Sequence, residues 1–273
     1  MQIESLSYER PCQEVPKDCH QVKLRILEGE RKRSKTIPEN KDLSGNYKRT
    51  IEQVLPTRLY IIISGGEHTE YHYFSNLKSI VPVGCAIPLY FVCPTGRKSG
   101  KNSSSHPGTS PIDLYDYWTS IYNDSTNTLS LLGRSFRLEK DDRVYFVSDV
   151  DEFYQDLQSM LSVKLLPNIR WAISNPCIEV WLYYSFMGVP SEEDYDLLKE
   201  TDLPKRSQCL KQICSQHKGG ADPRKAPKLI EAAIANANAF GHKTDDNGIP
   251  VLFCSDMLYF AEEFIQYIST FEA

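Results

Sequence analysis

The pattern of apolar and polar positions divides the chain into three parts. Residues 1 to about 55 are polar, punctuated by proline and without sustained periodicity, and read as an arm. From residue 56 an alternation of apolar runs and helical spacing begins. Residues 58–64 (RLYIIIS) form a continuous apolar run rich in isoleucine, as expected of a strand covered on both faces. Gly65 and Gly66 follow, then helical spacing over 69–80, closed ahead of Pro82. Residues 85–93 predict a second strand, with Pro88 pointing to an edge or irregular position. After a loop-like stretch over 94–111, Pro111 opens a helix with an apolar stripe at Ile112, Leu114, Tyr115 and Trp118. A strand over 143–148 leads into Asp149-Val150-Asp151-Glu152 and a helix to residue 163. A short strand follows over 169–173, and Asn175-Pro176 marks the entry to a helix over 177–186.

Beyond that point the strand signals stop. Residues 191–199, 205–216, 225–240 and 255–271 all carry helical spacing or strong helix formers. The rhythm predicts an α/β fold with a mostly parallel sheet, helices on both faces and a helical C-terminal extension. The expected divisions are 1–55 for the arm, 56–187 for the α/β core and 188–273 for the helical part.

Composition narrows the class. The 273 residues are 41% hydrophobic and 25% charged, which is ordinary globular usage. No apolar stretch approaches the ~20 residues of a membrane helix, and the first residues lack the basic-then-apolar pattern of a secretory signal. The eight cysteines show no CxxC pair, so reduced thiols in a cytoplasmic protein are expected. Net charge is -5, yet basic residues cluster locally. Arg31, Lys32, Arg33 and Lys35 lie in the arm and Arg97, Lys98 and Lys101 in a loop, where they could be solvated surface or hold a phosphate backbone.

In a parallel sheet, ligands bind beyond the carboxyl ends of the strands. Three polar clusters fall there: 67–70, Asp149 with Asp151, and 175–179. Asp149 and Asp151 stand two apart, so a strand would send both carboxylates to one side. Two such charges repel, and a hard divalent cation relieves the repulsion; the alternative is a turn with a helix cap. Glu67 and Glu70 lie three apart at a strand-to-helix turn and can face one ligand, with Thr69 available as a cap. Asn175 can cap the following helix with Pro176 at its first position. Glu179, set among Ile178, Val180 and Trp181, is either held by a structural hydrogen bond or points into a site.

At these residues the sequence resembles the RloB-like family, bacterial proteins built on a Toprim domain, the α/β module of topoisomerases, primases and OLD-family nucleases. The matching stretches are IIISGGEHTEYHYFSNL (61–77), VYFVSDVDEF (144–153) and WAISNPCIEVWLYYSF (171–186). The resemblance implies a Toprim-like core and Mg²⁺- or Mn²⁺-dependent phosphoryl chemistry on DNA or RNA. It also implies a role in phage defence or restriction-linked systems, often beside a partner ATPase. Asp149 and Asp151 match the Toprim DxD, and Glu70 matches an acid just inside the first helix. These three are the implied metal ligands, and in a nuclease Glu67 or Glu179 would handle protons or bind a second ion. The family segment usually reads like CEGEKTE, and its first glutamate is the Toprim acid or base. Here Gly65 takes that position. Either Glu67 or Glu70 substitutes, or the chain is a catalytically inactive Toprim-like subunit that binds nucleic acid or the ATPase. The absence of a GxxxxGK[ST] loop argues against ATP hydrolysis by this chain itself.

Overall fold

The apolar runs become the strands of one sheet. The computed structural model describes residues 25–27, 58–66, 68–83, 87–94, 110–131 and 133–271. Strands β2 (Tyr60–Ser64), β3 (Leu89–Val92), β7 (Arg143–Asp149) and β8 (Ile169–Ser174) are parallel, in the order β3-β2-β7-β8. A short strand from the arm, β1 (Arg25–Leu27), adds antiparallel to the outer side of β3. Tyr60 and Ile62 of β2, with Tyr145 and Val147 of β7, enter one packed layer. Their alternates Leu59, Ile61, Ile63, Val144 and Phe146 enter the other. Burial on both faces is why the runs lack polar alternation.

Parallel neighbours need crossovers. Helix α1 (Thr69–Asn76) follows β2, and α2 (Pro111–Ile121) lies between β3 and β7. Pro111 stands in the first turn of α2, and Ser110 and Asp113 close a reciprocal cap. Helix α3 (Tyr154–Leu161) joins β7 to β8, and α4 (Glu179–Phe186) leaves β8. Between α2 and β7 the chain forms an antiparallel sheet of β4 (Tyr122–Asn123), β5 (Thr128–Leu131) and β6 (Arg134–Arg137), which the helical and strand spacing did not announce.

One local expectation needs correction and one is narrowed. The first helix gives way at Asn76 to a 3-10 turn over Leu77–Ser79. Of the two alternatives for Pro88, the edge gives way to the irregular position: β3 has neighbours on both sides, and Pro88 stands just outside the strand, its carbonyl accepting the Tyr60 amide at 2.9 Å.

The helices after residue 187 are α5 (Glu192–Glu200), α6 (Arg206–Gln216), α7 (Ile230–Phe240) and α8 (Met257–Ser269). The last of these returns to the sheet. The Phe260 ring lies 5.1 Å from Tyr145 and 5.3 Å from Phe74, and Phe264 lies 5.4 Å from Tyr60. Burying each such ring contributes on the order of 1.5–3 kcal/mol. One apolar layer runs from β2 to α8. Among the described residues, no helix is long and apolar enough to cross a membrane.

Candidate functional site

Parallel pairing brings the carboxyl ends of three strands to one edge. Ser64 ends β2 opposite Val147, and Asp149 ends β7 opposite Ser174, the end of β8. Helices α1 and α4 start beside this edge, with Glu70 and Glu179 in their first turns, where the helix dipole favours a carboxylate. Asp149 Oδ1 accepts the Ile178 amide at 2.9 Å, which ties the end of β7 to the entry of α4. Thr69 donates from Oγ1 to Glu179 Oε1 at 3.2 Å and ties α1 to α4. The Glu70 carboxylate folds back over the glycine turn and fills the space that a side chain on Gly66 would need. The other oxygen of Glu179, Oε2, is buried without a hydrogen bond. It faces the ammonium of Lys211, from α6, at 4.0 Å.

The acids strain one another electrostatically. Burial, opposed by a backbone hydrogen bond and reinforced by the charge of Glu179, moves the Glu70 carboxyl from its usual 4.5 to about 7. Asp149 is pushed well above the usual carboxylate range, first by burial and then by Glu70 and Glu179. Burial raises Asp151 too, against the opposing influence of the Ser207 hydroxyl and Lys211. The Cys177 thiol is driven upward by burial and by Glu179 and Asp149. Burial works against the Lys211 ammonium, but Glu179, Cys177, Asp149 and Glu70 together outweigh it and raise its pKa. One lysine thus serves several acids.

The structure gathers Glu70, Asp149 and Glu179 and sets Asp151 slightly apart. Strand β7 ends at Asp149 and a turn begins at Asp151, so the period-two alternation does not carry through the pair. The Asp151 amide donates to the Pro176 carbonyl at 3.1 Å, and its carboxyl shares the field of Lys211 with Asp149. Glu67 lies outside the described residues, as do Arg31, Lys32, Arg33, Lys35, Arg97, Lys98 and Lys101.

Two capping expectations fail. Helix α1 has no side-chain cap, because the Thr69 hydroxyl is spent on Glu179. Asn175 does not cap α4 either. Its side chain donates to the Pro250 carbonyl at 2.7 Å, and its backbone pairs with Phe253 and Cys254. Lys211, Ser207 and Gly66 belong to the site and were not singled out from sequence. Only the glycine had a visible signal, a Gly-Gly pair following an apolar strand.

The donors at this edge are carboxylate oxygens, which suit a hard cation, and the orphaned Glu179 oxygen is a further acceptor. Among the described residues, no group of three or more His, Cys, Asp and Glu side chains could hold a metal ion by itself. Mg²⁺ does not require such a cage, since it is commonly held by one or two carboxylates with water and phosphate oxygens completing its shell. In comparisons with known proteins, the RloB-like protein family matches residues 60–263. No curated protein and no solved structure matches the chain.

Proposed function

Because this chain belongs to the RloB-like family, we propose that it is a divalent-metal-dependent, Toprim-type nuclease that hydrolyses phosphodiester bonds of DNA or RNA. The observation that carries this reading is the meeting of Glu70, Asp149 and Glu179 at the carboxyl edge of the sheet. Two of those carboxyls are held above their ordinary pKa by burial and mutual repulsion. A fold gains nothing from concentrating acids this way, whereas a bound cation would reverse the sign of the interaction.

In this reading one or two of the carboxylates of Asp149, Asp151 and Glu70 would hold Mg²⁺ or Mn²⁺, with water and phosphate oxygens completing its shell. The ion supplies a charge that stabilises the scissile phosphate and a water of lowered pKa. Glu179 Oε2, lacking a hydrogen bond, is the chain's acceptor for a proton, and Glu67 is a neighbouring alternative. Lys211 offsets the acids before substrate arrives and would meet a phosphate oxygen afterwards. The basic groups at Arg31, Lys32, Arg33, Lys35, Arg97, Lys98 and Lys101 would track the backbone without reading sequence. The setting we infer is cytoplasmic phage defence or a restriction-linked system, with a partner ATPase supplying any nucleotide hydrolysis.

The alternative, a non-catalytic Toprim-like subunit, draws on Gly65, which leaves no side chain where the family's glutamate stands. Replacing Asp149 and Asp151 together by asparagine separates the two. The nuclease reading expects Mg²⁺-dependent cleavage of single-stranded, duplex and transfer-RNA substrates by the parent chain. It expects a loss of at least about 10²-fold in the double variant, with the unfolding midpoint retained. Equal cleavage by both proteins would end it. Calorimetry showing no metal binding, alongside stable partner binding, would select the subunit.

A further inference from the structure

The opposite edge of the sheet carries a second unbalanced group of charges. Arg58 precedes β2, Arg143 opens β7, and Arg170 is the second residue of β8. Because β2, β7 and β8 are neighbours, with Tyr60 opposite Arg143 and Tyr145 opposite Arg170, the three guanidiniums converge at the amino ends of the strands. They meet Glu263 of α8. Its Oε1 accepts from Arg58 at 3.1 Å and from Arg143, and its Oε2 accepts from Arg170 at 3.2 Å and from the Tyr145 hydroxyl at 3.1 Å.

One carboxylate is too little for three guanidiniums, each of which offers five N–H donors. Arg58 and Arg143 are only 17% exposed, so much of the positive charge is withdrawn from water. Arg58 Nε is buried without a hydrogen bond. The Arg58 guanidinium lies 4.4 Å from the centre of the Tyr267 ring, which fixes its plane. Around these groups opens a cavity of about 540 Å³, which Gln266 and Thr270 also line. That volume falls within the range of small-ligand sites. Among the described residues, Glu262 is the other acid on its wall, and it accepts a hydrogen bond from Asn238 at 3.0 Å.

We propose that this cavity binds a phosphate monoester, the 5′-phosphate of a nucleotide, whether free or at the end of a nucleic-acid strand. Planar guanidinium forks match phosphate oxygens, and an anion meets the positive charge that Glu263 and Glu262 leave uncompensated. Gln266 adds a neutral donor at the rim, while the Thr270 hydroxyl already donates to the Tyr267 carbonyl at 2.7 Å. The site is distinct from the acid edge and does not depend on the nuclease reading.

Calorimetry on the full chain at low salt, with inorganic phosphate and adenosine monophosphate as probes, tests the proposal. Saturable binding is expected, and Arg170→Gln should weaken it about tenfold or more. Arg170 is 49% exposed, so this variant should keep its melting temperature, and Arg170→Lys should fall between the two. Asp149→Asn should bind as the parent does, which keeps failure here separate from failure of the nuclease reading. An oligonucleotide bearing a 5′-phosphate is compared with its 5′-hydroxyl twin. Preference for the phosphorylated strand over the mononucleotide assigns a strand end, and equal affinity assigns a free nucleotide. No saturation by phosphate or mononucleotide up to about 10 mM, or identical binding by Arg170→Gln, overturns the proposal.

Discussion

The two edges of the central sheet are electrical opposites built on the same strands. At the carboxyl edge Glu70, Asp149 and Glu179 share Lys211. At the amino edge Arg58, Arg143 and Arg170 share Glu263. In both places one shared counter-ion, Lys211 or Glu263, ties helices to strands, and among the described residues the opposite charge is in excess. The difference lies in how that counter-charge is bound. Glu263 accepts hydrogen bonds on both oxygens, whereas the Lys211 ammonium stands 4.0 Å from Glu179. The amino edge is clamped and the carboxyl edge is held loosely, as the proposed entry of an ion and a substrate would require.

The strongest test of that contrast is Glu263→Gln. Removing the one carboxylate between two largely buried guanidiniums leaves uncompensated charge under α8, a loss that typically costs about 3–5 kcal/mol. Urea unfolding should show a lower midpoint with an unchanged slope. A variant as stable as the parent would mean that the arginines do not depend on Glu263, and the two edges would then be alike.

At the acid edge the expected effect is smaller. Glu70 titrates near its usual 4.5 when unfolded and at about 7 in the fold, first because of burial. The folded state therefore holds the proton more tightly. Its contribution is complete below about pH 4.5 and is lost as pH rises through about 7. The full shift corresponds to a contribution on the order of 3 kcal/mol. In a chelator the protein should be less stable at pH 8 than at pH 5.5, and Mg²⁺ should restore part of the difference. Glu70→Gln should flatten the profile. A parent profile already flat in chelator would show that the carboxyls are not strained.

How much of this was legible in the chain follows from how local each cause is. Ile61, Ile62 and Ile63 announce a strand buried on both faces, because no polar alternation is needed there. Asp149 and Glu70 could be placed together from topology alone, since parallel strands end on one edge. The small sheet over 122–137 was hidden by the shortness of its strands, although Leu129 and Leu131 alternate inward. Thr69 and Asn175 carry the local signature of caps, yet their partners lie 110 and 75 residues away, and nothing nearby in sequence reveals such competition. Lys211 and Ser207 were out of reach for the same reason. They enter the site because α6 packs on α4, a consequence of the core and not of any spacing within α6.

The finest discrimination comes from Gly66, where stability and site geometry separate. Its backbone is outside the left-handed region, so alanine is conformationally admissible, and the lost chain freedom of the unfolded state favours the variant by about 0.4–1 kcal/mol. The new methyl group would coincide with the Glu70 carboxylate, the free end of a flexible side chain that can swing aside. Gly66→Ala should therefore change unfolding stability by less than about 1 kcal/mol. It should also displace the one acid that leans over the glycine turn. If Glu70 holds the metal, calorimetry should record weaker Mg²⁺ or Mn²⁺ binding, and any cleavage should fall with it. Gly65→Ala, one position earlier, serves as the control. Should Gly66→Ala bind metal as tightly as the parent, the position of the Glu70 carboxylate is incidental, and the acid edge contains one ligand fewer than its electrostatics imply.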